Sequence, residues 1–481
     1  MKVQLSLRNS DLLWLGIVLF IILTIAFLLP IPPNDYWWYL RLGEDIVDTR
    51  VVPGVDIYSS TQFGQPITYQ SWLSAVLFYF LNRIGGSLLT VLVRGIIIAA
   101  FYFLIWYICR LAGGGARLAS LVTLVAALAS SNNWAIRPQL FSLVLFALFL
   151  SFLWQWRKGK TRWIWVLPIL MLLWVNLHGA FILGFMLVIV GLICGEGKRR
   201  ELFITLILMG VISFINPHGW GVWQYVFSLL SDPASQQLGT EWHPLNIRAW
   251  QGLIFYVWLL FFPILASYSK HSLAWMDWLL FLGFGWMALN GLRYVIWFVA
   301  ILAVMSTSLL EPLVGNYLDM KKIPGKPAIN GVIISLLLFL PVAFLPGIRD
   351  QWWEEYPPIL MDNTPVDAVD WLKDHPELPG PLWSDLAFSS YVIYAIPERP
   401  VWIDPRFELY PISHWNKYIR VSTASPMWST IMDEEAIAMV LVDVHEQDQL
   451  IYALDKDDNW CLHFHDNSSR IYTRISEAGD C

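Results

Sequence analysis

Asp35, in "PPNDYWWYLRLG", sits against a Tyr-Trp-Trp cluster directly after a long apolar run, where a carboxylate would face both lipid and water. Desolvation at such a boundary is partial and can tune a carboxylate toward base strength; a helix cap or a solvated loop acid is the alternative. Asp56, in "GVDIYSST", is a second acid, with turn formation after "VVPG" as its competing role. Arg137 in "NNWAIRPQ" and Arg293 in "NGLRYVIW" each stand at a helix start near the expected membrane surface. A guanidinium there can clamp a phosphate through its fork of donors, or snorkel to lipid headgroups. "NLHG" (176–179) and "NPHG" (216–219) echo one another, each after an apolar stretch. Capping accounts for Asn176, Asn216 and the glycines but not for a histidine in both copies. His178 and His218 on one face would hold a metal, bind phosphate or move protons.

The elements that must carry these residues are membrane helices. The 481 residues are 57% hydrophobic and 14% charged and include 28 tryptophans, a composition suited to a helical bundle with aromatic belts. Eleven stretches read as spans: 12–30, 86–108, 117–133, 139–156, 163–176, 179–194, 201–215, 251–268, 272–289, 293–310 and 328–346, of which 163–176 and 179–194, short and joined by "NLHG", read equally as a helical hairpin or broken helices. The stretch 72–84 is too short to span and reads as an interfacial helix. The first span, followed by Pro30 and Pro32-Pro33, reads as an anchor and not as a removed leader. Arg94, inside the second span, is either functional or paired across helices.

Charge divides the chain. From Asp350 onward there are 8 Lys+Arg against 24 Asp+Glu; before it there are 23 against 13. The expected organisation is therefore a transmembrane domain over 1–346, with a first external loop at 31–71 and the interfacial helix at 72–84. An acidic extracytoplasmic α/β domain follows over 347–481. With the N-terminus inside, all eight lysines before residue 347 fall on the cytoplasmic side, as the positive-inside rule requires. Asp35, Asp56, Arg137, Asn176, His178, Asn216, His218, Glu241 and Arg293 then all emerge on the external face. The location expected is the inner (plasma) membrane.

Several chemistries are missing: no Gly-Lys-Ser/Thr phosphate loop, no Gly-x-Ser-x-Gly elbow, no His-Glu-x-x-His and no Cys-x-x-Cys. No nucleic-acid partner is expected. Cys109 and Cys194 lie near cytoplasmic span ends, whereas Cys461 and Cys481 are external and free to pair. In the acidic region, helices are expected near 365–374 and 428–436. Strands are expected in "AMVLVDV" and in "WCLHFHD" with "RIYTRI", and strand-and-loop structure in "SDLAFSSY" and "VWIDPRFELY".

"NDYWWYLRLGEDIVDTRVVPGVDIYSSTQFGQPITYQSWL", "RPQLFSLVLFALFL", "LLWVNLHGAFILGF", "INPHGW", "EWHP" and "NGLRYVIWFVAI" resemble bacterial relatives of the GT-C superfamily of polyprenyl-phosphate-dependent glycosyltransferases. "TPVDAVDWLKDHPELPGPLWSDLAFSSYVIYAIPERPVWIDPRFELY" resembles the small external domain of such chains. The resemblance implies a GT-C-like bundle and transfer of a sugar from a polyprenyl-phosphate donor to an acceptor. It implies that Asp35, the acid of the first external loop, is the catalytic base or a ligand of a divalent cation. A His-Glu-Trp-Leu-like stretch in the family is here "YQSWL", so Gln70 and Ser71 replace His and Glu, and Asp56 or Glu241 would fill any second acidic role. Arg137, Arg293, His178, His218, Asn176, Asn216, Asp404 and Arg406 are the candidates for binding the donor. The alternatives are a non-catalytic relative and a lipid-substrate transporter, although a transporter should carry acids or broken helices at mid-membrane. A membrane acyltransferase using "WVNLHG" would not need the acidic domain.

Overall fold

The computed structural model describes residues 9–318, 326–355, 358–378 and 380–475. Lys2, Lys321, Lys322 and Cys481, the residue considered as partner for Cys461, lie outside the described residues. The chain divides into two compact units, one formed by 1–29, 85–222 and 240–356, the other by 30–84, 223–239 and 357–481.

The first unit is helical. Long runs of Leu, Ile, Phe and Val leave the backbone no favourable partner in lipid except itself, and a helix satisfies every amide internally. Among the described residues six helices are long and apolar enough to cross a membrane, with windows at Asp11–Leu28, Trp72–Leu111, Gln139–Arg157, Trp250–Tyr268, Leu292–Gly315 and Pro327–Phe344. The other five expected spans are also helical but run only 11 to 16 residues: Ala116–Ala129, Leu167–Leu177, Phe181–Cys194, Arg199–Ile212 and Trp275–Asn290. Length therefore qualifies six of the eleven. Leu292–Gly315 is the central element, 83% of its window buried, whereas Pro327–Phe344 has 11% buried and shows its apolar side chains outward.

Charged groups inside this unit are tied to partners. Arg94 donates from Nη2 to the carbonyls of Ala26 (2.6 Å) and Leu29 (2.5 Å), and Arg349 donates from Nη1 to that of Phe27 (3.2 Å). Two buried guanidiniums thus complete the C-terminus of the helix Asn9–Leu28, whose last carbonyls lack helical donors. Arg94 is paired across helices. Arg157 and Asp277 form a two-pronged pair (2.6 and 3.2 Å) joining the helices Gln139–Arg157 and Trp275–Asn290.

The long helix Trp72–Leu111 loses helical geometry at Gly85 and Gly86, the latter at φ +59°, which a residue without Cβ adopts readily. Its first part, the expected interfacial stretch, belongs to the second unit. There a four-stranded sheet has the order β1 (Leu382–Ser384), β2 (Met439–Asp443), β4 (Ser469–Arg474), β3 (Trp460–His465). β1 pairs parallel with β2, and the other pairs are antiparallel. The alternating apolar residues predicted β2, β3 and β4, and helices stand at Val366–Asp374 and Trp428–Glu434 as expected. "SDLAFSSY" differs from expectation: it opens a helix, Leu386–Ala395, because the Asp385 side chain accepts from the amides of Ala387 and Phe388 and so nucleates a helical turn. The segment expected as an external loop contains the helix Tyr36–Thr49.

Candidate active site

Arg137, Glu241 and Arg293 meet in the first unit. Arg137 lies two residues before the helix Gln139–Arg157, Glu241 in the single turn Thr240–Trp242, and Arg293 in the turn Leu292–Tyr294 ahead of the central helix. Nη1 of Arg293 is 3.1 Å from one carboxylate oxygen of Glu241, and Nη1 of Arg137 pairs with the other. The backbone fixes this approach: the amide of Leu292 donates to the carbonyl of His243 (2.8 Å), and Gln139 donates to the carbonyl of Arg293 (3.3 Å). The Arg293 guanidinium lies over the Trp242 ring, 4.5 Å from its centre. Burial alone would raise the Glu241 carboxyl, but Arg293 and Arg137 outweigh it and hold the group below the usual carboxylate range. With two cations to one anion, the cluster carries excess positive charge and keeps partial access to solvent.

His178 lies in the field of Arg293 and Glu241. Burial, reinforced by Arg293, lowers its pKa and keeps the imidazole neutral. Its tautomer follows from its partners. The Ser142 hydroxyl accepts from Trp174 Nε1 (2.8 Å) and donates to His178 Nδ1 (3.0 Å), which also accepts from the amide of Ala180 (3.3 Å). Nδ1 is thus an acceptor, and the proton is assigned to Nε2. The other members of the paired tetrapeptides hold backbone. Asn176 donates to the carbonyls of Leu172 (2.8 Å) and Ile215 (3.0 Å), tying the first motif to the turn before the second. Asn216 accepts from the amide of His218 (2.8 Å) and donates to the carbonyls of Ser213 and Gly219.

Asp35 belongs to the second unit. It stands at the start of the helix Tyr36–Thr49, yet its side chain makes no capping hydrogen bond. The surroundings of this turn are fixed: Ser390 Oγ donates to the carbonyl of Asn34 (2.6 Å) and accepts from the amide of Trp38 (3.2 Å). Trp37 packs edge-on against Tyr391, ring centres 4.8 Å apart. Gly43 lets the helix lie close against its neighbour, since a Cβ there would come within 2.2 Å of the Ala75 carbonyl oxygen. Gln70 and Ser71, in place of the family's His and Glu, are buried and bonded to each other at 3.0 Å.

Asp56, Asp404 and Arg406 form a separate cluster in this unit. Arg406 gives Nε (2.8 Å) and Nη2 (2.5 Å) to Asp404, and Nη1 to Asp56 (2.6 Å) and the Tyr69 hydroxyl (2.7 Å). Asp56 also accepts from the amides of Tyr58 (3.3 Å) and Ser59 (3.0 Å) and from the Ser59 hydroxyl (2.6 Å), a turn built on its side chain. Both aspartates are fully buried. Sequence reasoning missed Ser390, Trp242 and Ser142. Trp242 could have been found from its place beside Glu241 in "EWHP", while no local pattern in the sequence pairs Ser390 with Asn34, 356 positions away.

Neither any known family profile nor any curated protein matches the sequence. Solved structures do match. The oligosaccharyltransferase AglB of Archaeoglobus fulgidus, in complex with an inhibitory peptide and a dolichol-phosphate, superposes over 98% of this chain and 73% of its own (TM-score 0.60, 11% identity). ArnT from Cupriavidus metallidurans covers 94% of this chain and 95% of its own (TM-score 0.52, 12% identity). Arabinofuranosyltransferase AftD from Mycobacteria covers 97% of this chain but only 42% of its own (TM-score 0.57, 13% identity). The chain has the fold of the GT-C glycosyltransferases and is a multi-pass membrane protein. The A. fulgidus enzyme is also known in complex with Zn and sulfate (TM-score 0.50, 13% identity, 96% and 73% covered), so this fold is compatible with a divalent cation. Among the described residues of this chain no three His, Cys, Asp or Glu side chains gather as a metal-binding group.

Proposed function

We propose that the protein is an integral-membrane glycosyltransferase that moves a sugar from a polyprenyl-phosphate donor to an acceptor on the external face of the plasma membrane. The observation that carries this reading is the meeting of Arg137 and Arg293, 156 positions apart, on one carboxylate at helix ends. Two guanidiniums with surplus positive charge and neighbouring neutral His178 suit the phosphate of a lipid-linked sugar. Asp35 is the proposed general base. It accepts the proton of the acceptor hydroxyl or amine as the acceptor attacks the anomeric carbon. The bond from that carbon to the phosphate oxygen breaks, and polyprenyl phosphate leaves with the bonding pair. Asp56, Asp404 and Arg406, whose charged atoms are engaged with one another, are structural in this reading.

Asp35→Asn is close to isosteric and keeps the fold, but it cannot accept the proton. Transfer from a lipid-linked sugar should fall by roughly 10²–10⁴-fold with expression unchanged. Full transferase activity in a stable variant would leave Asp35 as a structural residue. For orientation, we propose eleven traverses with the N-terminus cytoplasmic, on the one-sided lysines. Cysteines engineered at positions 160 and 430 should then react with an impermeant reagent from opposite sides; labelling of both from one side refutes this topology.

A further inference from the structure

The Arg137–Glu241–Arg293 cluster has members held to very different degrees. Arg293 is fixed by its turn, by Gln139 on its carbonyl and by the face of Trp242. Arg137 is set by its place at the head of a long helix. Glu241 sits in a three-residue turn, its two oxygens facing the two guanidiniums. All three side chains keep solvent access, 28% for Arg137, 31% for Glu241 and 18% for Arg293. Both cations are therefore held by groups besides the Glu241 carboxylate between them. A phosphate ester offers the same pair of acceptor oxygens as a carboxylate, with at least one more to spare, and a guanidinium fork takes either.

We propose that Glu241 is an internal stand-in for the substrate phosphate. The arginine pair binds the phosphate of a lipid-linked sugar by exchanging the Glu241 carboxylate for it, so that occupancy of the site and release of Glu241 are one event. This rests on reading Arg137 and Arg293 as the phosphate site. The exchange keeps an anion between the two guanidiniums at all times and screens the empty site against weakly binding anions, because any ligand must outcompete a carboxylate already in place. A released Glu241 leaves the field that holds its pKa down and becomes a better proton acceptor than it is in the pair.

The test uses the full chain in detergent, with a short-chain polyprenyl phosphate as lipid probe and inorganic pyrophosphate as the lipid-free one. Glu241→Gln removes the competing charge while keeping the shape. It should tighten binding of the polyprenyl phosphate roughly 3- to 10-fold, the scale of partly exposed ion pairs. Tightening of both probes identifies the shared phosphate as the competing group, and tightening of the lipid probe alone identifies a lipid-linked headgroup. Arg293→Lys should weaken binding of the polyprenyl phosphate. If Arg293→Lys weakens it but Glu241→Gln weakens it or leaves it unchanged, Glu241 is no stand-in, although the phosphate site stands. If Arg293→Lys leaves binding unchanged, the phosphate reading fails and this inference fails with it. Should Glu241→Gln not fold, hydrogen exchange on the unmodified protein decides: polyprenyl phosphate should speed exchange at the amides of 240–243, and added protection there refutes the exchange.

Discussion

Each unit holds a cluster of three charges, and the two are near inversions of one another. In the first, two arginines flank one glutamate, and all three reach solvent. In the second, two aspartates flank one arginine, Arg406, with Asp56 and Asp404 at 0% exposure. Arg406 has assigned Nε, Nη1 and Nη2 to protein acceptors, and the rings of Trp38, Tyr58 and Tyr69 pack about its guanidinium. Asp404 would be raised by burial, yet Arg406 holds it below the usual carboxylate range. The difference teaches how to separate a site from a strut when both are made of the same residue types. A strut is closed, and its donors are matched by acceptors of the chain. A site keeps surplus charge and access.

The strut should break hardest. Arg406→Met leaves two aspartates buried without their cation, and removing one partner of a buried pair typically costs about 3–5 kcal/mol. Melting of the variant should therefore fall sharply near neutral pH and recover partly in acid, where the stranded carboxyls protonate. Adding Asp56→Asn and Asp404→Asn to Arg406→Met should return part of the loss, because the uncompensated charge is then gone. A single Arg406→Met variant as stable as the unmodified protein would overturn the distinction between the clusters.

A smaller effect belongs to Asp385, at the C-terminal end of β1. Its carboxyl is pushed up to about 6, first by burial and then by the neighbouring charge of Asp443, against the hydrogen bonds it accepts from Ala387, Phe388 and Tyr418. An acid raised in the folded state binds its proton more tightly there than when unfolded, so its contribution is greatest below the unfolded pKa of roughly 3.9. It is lost as pH rises toward about 6. Asp385→Asn keeps the helix cap and abolishes this titration. Thermal melts between these limits should show the unmodified protein losing, on the order of, 1–2 kcal/mol that the variant does not lose. Parallel pH profiles for the two would reject the buried-acid account.

Much of this was legible in the chain, because the signals were periodic or compositional. Uninterrupted apolar runs announced the helices, and the short β-branched apolar run in "AMVLVDV" announced β2, all of whose residues are buried. The helix at Leu386–Ala395 was not legible as such: "LAFSSYVIYA" is apolar and β-branched in part, and only the contact of Asp385 with two amides declares a helix start. Five of the eleven apolar stretches form helices of only 11 to 16 residues, because hydropathy registers apolar runs and does not register helix length. At the site, Arg137 and Arg293 were named one by one from their positions at helix starts. That both would meet Glu241 was beyond reach, since contacts that span 104 positions, as from Arg137, or about half that, as from Arg293, leave no local pattern. The same holds for Asp404 and Arg406, which stood with the donor-binding residues in the sequence because an Asp-x-Arg pair looks alike in a site and in a strut.

The smallest stability change should come from the site itself. Arg137→Lys and Arg293→Lys keep the positive charge, and each replaced side chain reaches solvent, so the lost pairing with Glu241 is screened. Each should cost less than about 1 kcal/mol in a melt. Binding should respond more than stability does, because a lysine presents a compact ammonium where the arginine presented a planar fork, and a phosphate held through two parallel hydrogen bonds loses one of them. The clusters are then separated by a ratio: Arg406→Met changes melting far more than it changes phosphate affinity per folded molecule, and the two lysine variants do the reverse. Equal ratios would mean that Arg137 and Arg293 are also structural, and the surplus positive charge around Glu241 would then serve the fold.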